Sequence, residues 1–311
     1  MAGLYFAFYN IDFNHLLSHI LKVDLVRFSA AIIILILACI FRAKRLQYIV
    51  SPLDNNISLH HLFSSTMIGY FGNGVLFFRL GEVLKAYSIS QNNKITTSEA
   101  FGVVMLERII DAITVLVFLL FFLPWLPTDD KTIRYWIIAF VAVTLFFIFI
   151  IIILRFINWK IFILSLRFIS NSIRNVIIST IGKIFNGIDA IIQTKHTWGI
   201  IISTILIWVC YFLMTIWLLE ACKIYLTLSG SFIMLLMGAI IIAVPALPGG
   251  LGTYEAGITF TLMLLFFVTK DEALIYAIVS HASNYIPYLV LGSIYFINSG
   301  LKISEVKKNS I

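Results

Sequence analysis

The chain has 311 residues, of which 61% are hydrophobic and 12% charged, against the roughly 25% charge of soluble domains. That excludes an ordinary soluble enzyme, and the uninterrupted apolar runs Ala30–Ile40 and Ala139–Leu154 exclude the alternating pattern of a β-barrel. The net charge of +7 then fits cytoplasmic loops facing anionic lipid, and no nucleic-acid partner is expected.

A membrane span needs about 20 apolar residues. The N-terminal run Met1–Tyr9 is short, resembles a truncated first span and lacks the basic start of a cleavable signal. Clear spans are expected at 24–41, 100–123, 134–155, 198–219 and 273–297, with less regular ones at 59–78 and 231–268. The fold class is therefore an all-α polytopic membrane protein of about 7–8 transmembrane helices in two pseudo-related halves, with re-entrant or broken helices. The first half covers 24–155, with a Gly-rich break at 69–82. The second covers 198–297, with a Pro/Gly break at 245–255.

Lys and Arg orient the chain. Arg42, Lys44 and Arg45 after the first span, six basic residues within 155–197, and Lys302, Lys307 and Lys308 in the tail 298–311 are all expected on the cytoplasmic side. A re-entrant 59–78 reconciles these assignments. The stretch 156–197 then reads as a cytoplasmic amphipathic segment, or alternatively as a short span with one polar face. The three cysteines are dispersed, without the spacing of a disulfide framework or zinc site, and no metal or other cofactor is expected.

The two breaks carry the chemistry. Gly69-Tyr70-Phe71-Gly72-Asn73-Gly74 leads into Arg79-Leu80-Gly81-Glu82, and Pro245 to Gly252 leads into Thr253-Tyr254-Glu255. Free backbone at membrane depth is tolerated where it lines a cavity or faces protein, and paired breaks point to a binding site at the interface of two halves. Arg79 and Lys85, beside exposed backbone amides, suit a phosphate or other anionic head group; the plainer reading is a snorkelling pair. Gly249 and Gly250 allow close backbone approach. Thr253 is placed to cap the helix that follows, and Glu255 lies in its first turn, as a dipole partner or a site residue.

Ionisable residues inside apolar spans cost at least about 2.5 kcal/mol each on insertion scales. Glu107 and Asp111 lie at i and i+4, with Arg108 between them. They read either as a head-group or proton site with Arg79 or Lys85, or as a structural ion pair locking two helices. His281 and Tyr285 share a face of the last span, as packing residues or as cavity lining. His15 with His19 is a weak metal signal, and His60-His61 reads as interfacial.

On the Arg79-Leu80-Gly81-Glu82 turn, the Glu107-Arg108-x-x-Asp111 motif and Pro248-Gly249-Gly250-Leu251-Gly252-x-x-Glu255, the chain resembles the lysylphosphatidylglycerol synthase transmembrane family over about 24–297. The chain departs from that pattern at Phe77-Phe78, where members usually have a proline. The resemblance implies re-entrant elements and a role in moving or presenting lipids, as in the membrane half of MprF-type proteins. No synthase domain is recognised in the sequence, so aminoacyl transfer is not expected.

The leading expectation is a flippase-like translocator in the bacterial cytoplasmic membrane. Its partners would be anionic or aminoacylated phospholipids or lipid-linked glycans, with a separate synthase and a homo-oligomer left open. The substrate-binding set is Arg79, Glu82, Lys85, Glu107, Arg108, Asp111, Gly249, Gly250, Glu255, His281 and Tyr285. The alternatives are a membrane transferase for a lipid-linked substrate, with Asp129-Asp130 as a candidate metal pair, and a non-catalytic synthase partner.

Overall fold

The computed structural model describes residues 18–125, 171–243 and 247–301, with scattered residues between 135 and 153. Asp129-Asp130, His15, Pro245 and the tail lysines lie outside the described residues. Among the described residues, nine α-helices position the site: α1 Leu25–Val50, α2 Leu59–Val75, α3 Gly81–Ser90, α4 Thr97–Phe122, α5 Asn171–Gln193, α6 Thr197–Ala221, α7 Leu228–Ala243, α8 Thr253–Phe266 and α9 Lys270–Asn298. Among the described residues, four of them (α1, α5 from Ile173, α6 and α9) are long and apolar enough to cross a membrane. The protein is thus an all-α membrane protein.

Local chemistry sets the helix starts. The Asp24 carboxylate accepts from the amides of Val26 and Arg27 at 2.9 and 3.2 Å, opening α1. Thr96 and Glu99 form a reciprocal capping box on α4. In the loop before α2, the Asp54 carboxylate accepts from the amides of Asn56 and Lys94, both at 3.0 Å. Those two bonds tie two loops together and hold the carboxyl below its usual range.

α1 continues past the expected end of the first span. Ala43, Leu46, Ile49 and Val50 are buried, so Arg42, Lys44 and Arg45 lie on a helix rather than in the expected loop. α1 pairs antiparallel with α6: Arg27 meets Glu220, Arg42 meets Tyr211 and Arg45 meets Thr204. α2 likewise runs antiparallel to α9, with Phe63 beside Tyr295, Tyr70 stacked on Tyr288 and the Gly74 carbonyl held by Tyr285. Outward-facing Ile201, Ile205, Val209 and Leu213 on α6 and Ile286, Val290, Ile294 and Ile297 on α9 stay exposed at helical spacing. Such stripes are costly in water and suit lipid.

The irregular segments form two helical hairpins. α2 and α3, 17 and 10 residues, are both shorter than the roughly 20 residues of a span, and fold back on each other through a 3₁₀ turn at Phe77–Arg79. The run Gly69–Gly74 lies inside α2, and the chain breaks at Leu76–Leu80 instead. The glycines serve packing: a Cβ on Gly81 would sit 2.1 Å from the Gly69 carbonyl oxygen, and one on Gly72 would sit 2.7 Å from the Gly81 Cα. α7 and α8, 16 and 14 residues, form the second hairpin around a 3₁₀ turn at Pro248–Gly250. Each hairpin resumes its second helix with an acid in the first turn, Glu82 and Glu255.

α5 crosses α4 at glycines. A Cβ on Gly102 would lie 2.1 Å from the Ile184 carbonyl oxygen, and one on Gly187 would lie 2.1 Å from that of Glu99. Such close small-residue crossings are the packing mode of helices in lipid. Its length and composition suit a membrane-crossing helix as well as a surface one.

Candidate functional site

An ion cluster joins α1, α3 and α4. Glu107 is fully buried; its Oε1 accepts from Arg42 at 2.7 Å and its Oε2 from Lys85 at 2.6 Å. Asp111, one turn on, accepts from Arg42 at 2.8 Å and from Arg45 at 2.7 Å. The expected i, i+4 pair of acids is thus held by two arginines of α1 that charge counting assigned to a loop. A helical reading of 42–50 would have found them, because Arg42, Leu46 and Ile49 follow the spacing of one face.

Arg108 is held loosely by comparison. Its guanidinium lies 3.3 Å from Glu107, 3.7 Å from Asp111 and 3.9 Å from Glu82, and its side chain keeps 29% exposure. Glu82 in turn accepts a long 3.4 Å bond from Asn73. With Arg79, the group holds five cations (Arg42, Arg45, Arg79, Lys85, Arg108) against three acids (Glu82, Glu107, Asp111). A surplus of buried positive charge favours the binding of an anion.

Beside the cluster lies a cavity of about 570 Å³, a volume typical of ligand pockets. Arg42, Arg79, Glu82, Arg108 and Asp111 line one side, and Tyr254, His281 and Tyr285 line another, with apolar residues of α6 and α7 between. Gly249 and Gly250 also reach the cavity, whereas Lys85, Glu107 and Glu255 are not among its wall residues. The direct phosphate contact expected of Lys85 therefore does not follow from its position: its ammonium is committed to Glu107. The Nε–H groups of Arg42, Arg45 and Arg108 have no hydrogen-bond partner among the described residues, and such buried donors cost about 1–3 kcal/mol when unmet.

The two hairpin tips close the wall. The Arg79 guanidinium donates to the Ile242 carbonyl in the last turn of α7, where helix carbonyls lack internal partners and favour a cation. The Tyr285 hydroxyl donates to the Gly74 carbonyl at 3.1 Å. Phe78 and Arg79 hold φ of 55° and 56°, a left-handed geometry that costs non-glycine residues about 1–2 kcal/mol each. Gly249, at φ +67°, needs its missing side chain twice over, since a Cβ would lie 2.3 Å from the Tyr285 ring.

Behind Gly249, Glu255 Oε1 lies 2.5 Å from His281 Nδ1, and His281 Nε2 lies 2.9 Å from the Gly249 carbonyl. Glu255 Oε2 accepts from the Gly252 amide at 2.6 Å. Gly252, not the expected Thr253, holds the cap position of α8, and the Thr253 hydroxyl donates back to the Gly250 carbonyl at 2.8 Å. His61 is drawn into the first hairpin, 3.0 Å from the Ser88 carbonyl. Among the described residues no group of three or more His, Cys, Asp or Glu is placed to hold a metal ion.

Comparison with curated proteins and with solved structures found no match. A family profile described as the lysylphosphatidylglycerol synthase TM region matches residues 1–292. That match spans both hairpins, the ion cluster and the cavity, and it makes this membrane protein, with its link to lipid handling, a member of the lysylphosphatidylglycerol synthase TM region family.

Proposed function

We propose that the chain is a flippase-like translocator of the bacterial cytoplasmic membrane, which takes the phosphate-bearing head group of a lipid into the cavity while the acyl chains stay in the bilayer. The observation that carries this reading is the loosely held Arg108 guanidinium on the cavity wall, in a cluster where cations outnumber acids. A guanidinium offers paired N–H donors that match phosphate oxygens. Arg108, beside Arg42 on the cavity wall, would take the phosphate, Arg79 would close the site from the hairpin tip, and Glu82 would meet a hydroxyl or ammonium. Lys85, Arg45 and Glu107 act behind the wall by fixing Arg42.

Mass spectrometry of lipids retained by the purified protein tests this reading. The wild type should retain one phosphate-bearing lipid selectively, and Arg108→Gln should lower its retention about tenfold or more, the equivalent of one lost charge-assisted bond. Proteoliposomes carrying fluorescent phosphatidylglycerol should show a matching drop in exchange between leaflets. Unchanged retention and exchange in a folded Arg108→Gln protein would overturn the assignment. Conversion of the bound lipid's head group would favour the transferase class.

A further inference from the structure

We propose that Glu255 and His281 form a proton-binding site, and that the bound proton latches the Pro248–Gly250 turn onto α9 at the cavity wall. Counting donors establishes the site. The Gly249 carbonyl has no proton to give, so His281 Nε2, 2.9 Å away, must carry one. A neutral imidazole has a single N–H, and that bond uses it. Nδ1 would then turn a lone pair toward Glu255 Oε1 at 2.5 Å, a repulsive contact if the carboxylate were ionised. The carboxylate cannot turn away, because its other oxygen holds the Gly252 amide. One further proton must therefore lie between Oε1 and Nδ1. Whether the pair is written as an acid beside an imidazole or a carboxylate beside an imidazolium, it is neutral and holds two protons.

Release of one proton to the aqueous side leaves a net charge of −1 and a single N–H for two acceptors. The carboxylate is the stronger acceptor, since charge-assisted bonds exceed neutral ones about twofold in strength. The remaining proton therefore moves to Nδ1, and the bare Nε2 repels the Gly249 carbonyl. That end of the turn is built to move: Gly249, Gly250 and Gly252 hold φ of +67°, +77° and +81°, and glycine reaches both signs of φ with little penalty. Gly249 and His281 lie on the cavity wall, so proton loading and cavity shape are linked.

Among the described residues, no neighbouring group competes for this proton. Tyr254 on α8 donates to Ser280, and Tyr285 on α9 donates to the Gly74 carbonyl. From α2, Tyr70 stacks on Tyr288, to whose hydroxyl Cys39 of α1 donates. Arg42 of α1 is bound to Glu107, Asp111 and the Tyr211 hydroxyl of α6. Arg79 holds Ile242; Arg108 and Glu82 approach each other at 3.9 Å. The proton site stands on this geometry; its use in coupling lipid movement to a proton gradient rests on the translocator reading.

The two glutamate and histidine variants should fail in opposite directions. In Glu255→Gln the amide supplies the missing donor to Nδ1 and still accepts from Gly252, which mimics the loaded state. His281→Ala removes the latch. A spin label on Leu251→Cys, 40% exposed beside the turn, reports turn mobility in the full chain in nanodiscs. The wild-type label should be immobile at low pH and mobile at high pH, immobile throughout in Glu255→Gln and mobile throughout in His281→Ala. ¹⁵N-histidine spectra of the wild type, which need neither of those variants to fold, should show one residue with both nitrogens protonated, losing one proton over the same pH range. The residue is assigned by its dipolar coupling to a ¹³C-labelled glycine carbonyl. A singly protonated His281 with the label immobile, or a label that ignores its titration, would overturn the proposal. A wild-type protein that retains no lipid selectively while this titration is intact would count against the translocator reading and leave the proton site standing.

Discussion

Glu107 separates structural from functional charge in this cluster. It has no solvent access and neutralises Lys85 and Arg42 at 2.6 and 2.7 Å, with Arg45 at 3.4 Å. Removing one partner of a buried ion pair costs about 3–5 kcal/mol, because the other charge stays behind uncompensated. Glu107→Gln should therefore lower thermal stability in detergent or nanodiscs by that order, whereas Arg108→Gln, which removes a surplus cation, should leave it nearly unchanged. Equal destabilisation by both would mean that Arg108 is part of the structural lock. The sequence made Glu107, Arg108 and Asp111 visible, because three ionisable residues in one apolar span demand a reason. It concealed their partners, because Arg42 and Arg45 follow a run that already satisfies a span and so resemble loop charges. The helical spacing of Arg42, Leu46 and Ile49 is the one signal against that reading, and the burial of Ala43, Leu46 and Ile49 shows that α1 goes on.

At the scale of the helix, glycine has two opposite meanings, and α5 contains both. Gly187 lies against α4, where a Cβ would meet the Glu99 carbonyl at 2.1 Å, while Gly182, five residues earlier, has nothing among the described residues within 4 Å. Alanine at Gly187 must push the helices apart, which costs about 1–3 kcal/mol by overpacking. Alanine at Gly182 only restricts the unfolded chain and should stabilise by up to about 1 kcal/mol. Thermal unfolding of the two single variants should shift in opposite directions; a matching sign would show that α5 does not pack on α4 through this crossing. The same ambiguity affected the first break. Gly69, Gly72 and Gly74 mark a site of close approach, but what approaches Gly69 and Gly72 is α3 and what approaches Gly74 is α9. The interruption falls on Leu76–Leu80, where Phe78 and Arg79 adopt positive φ without the glycine that would have announced it. The second break was legible, because proline and glycine at 248–252 leave few alternatives to a turn.

For the whole molecule, the decisive contact lies between the two hairpins, far apart in sequence. Arg79 from the first caps the carbonyl end of α7 in the second, and Tyr285 of α9 holds the Gly74 carbonyl while its ring abuts Gly249. The tips therefore form one seam along the cavity wall, and neither tip is fixed by its own hairpin alone. It follows that a change in one hairpin should be felt in the other. Tyr285→Phe removes a single hydrogen bond worth about 0.5–1.5 kcal/mol. If the seam opens as a unit, amide exchange should rise about 2- to 12-fold, the same energy expressed as a population, both at Leu76–Leu80 and at 247–252. Arg79→Gln should do the same from the other side. The double variant should show less than the sum of the two effects, since sites that share an opening event couple. Hydrogen-exchange mass spectrometry of the four proteins measures this directly. Exchange that rises only in the hairpin carrying the substitution would mean the tips touch without cooperating, and the cavity would then need a different gate.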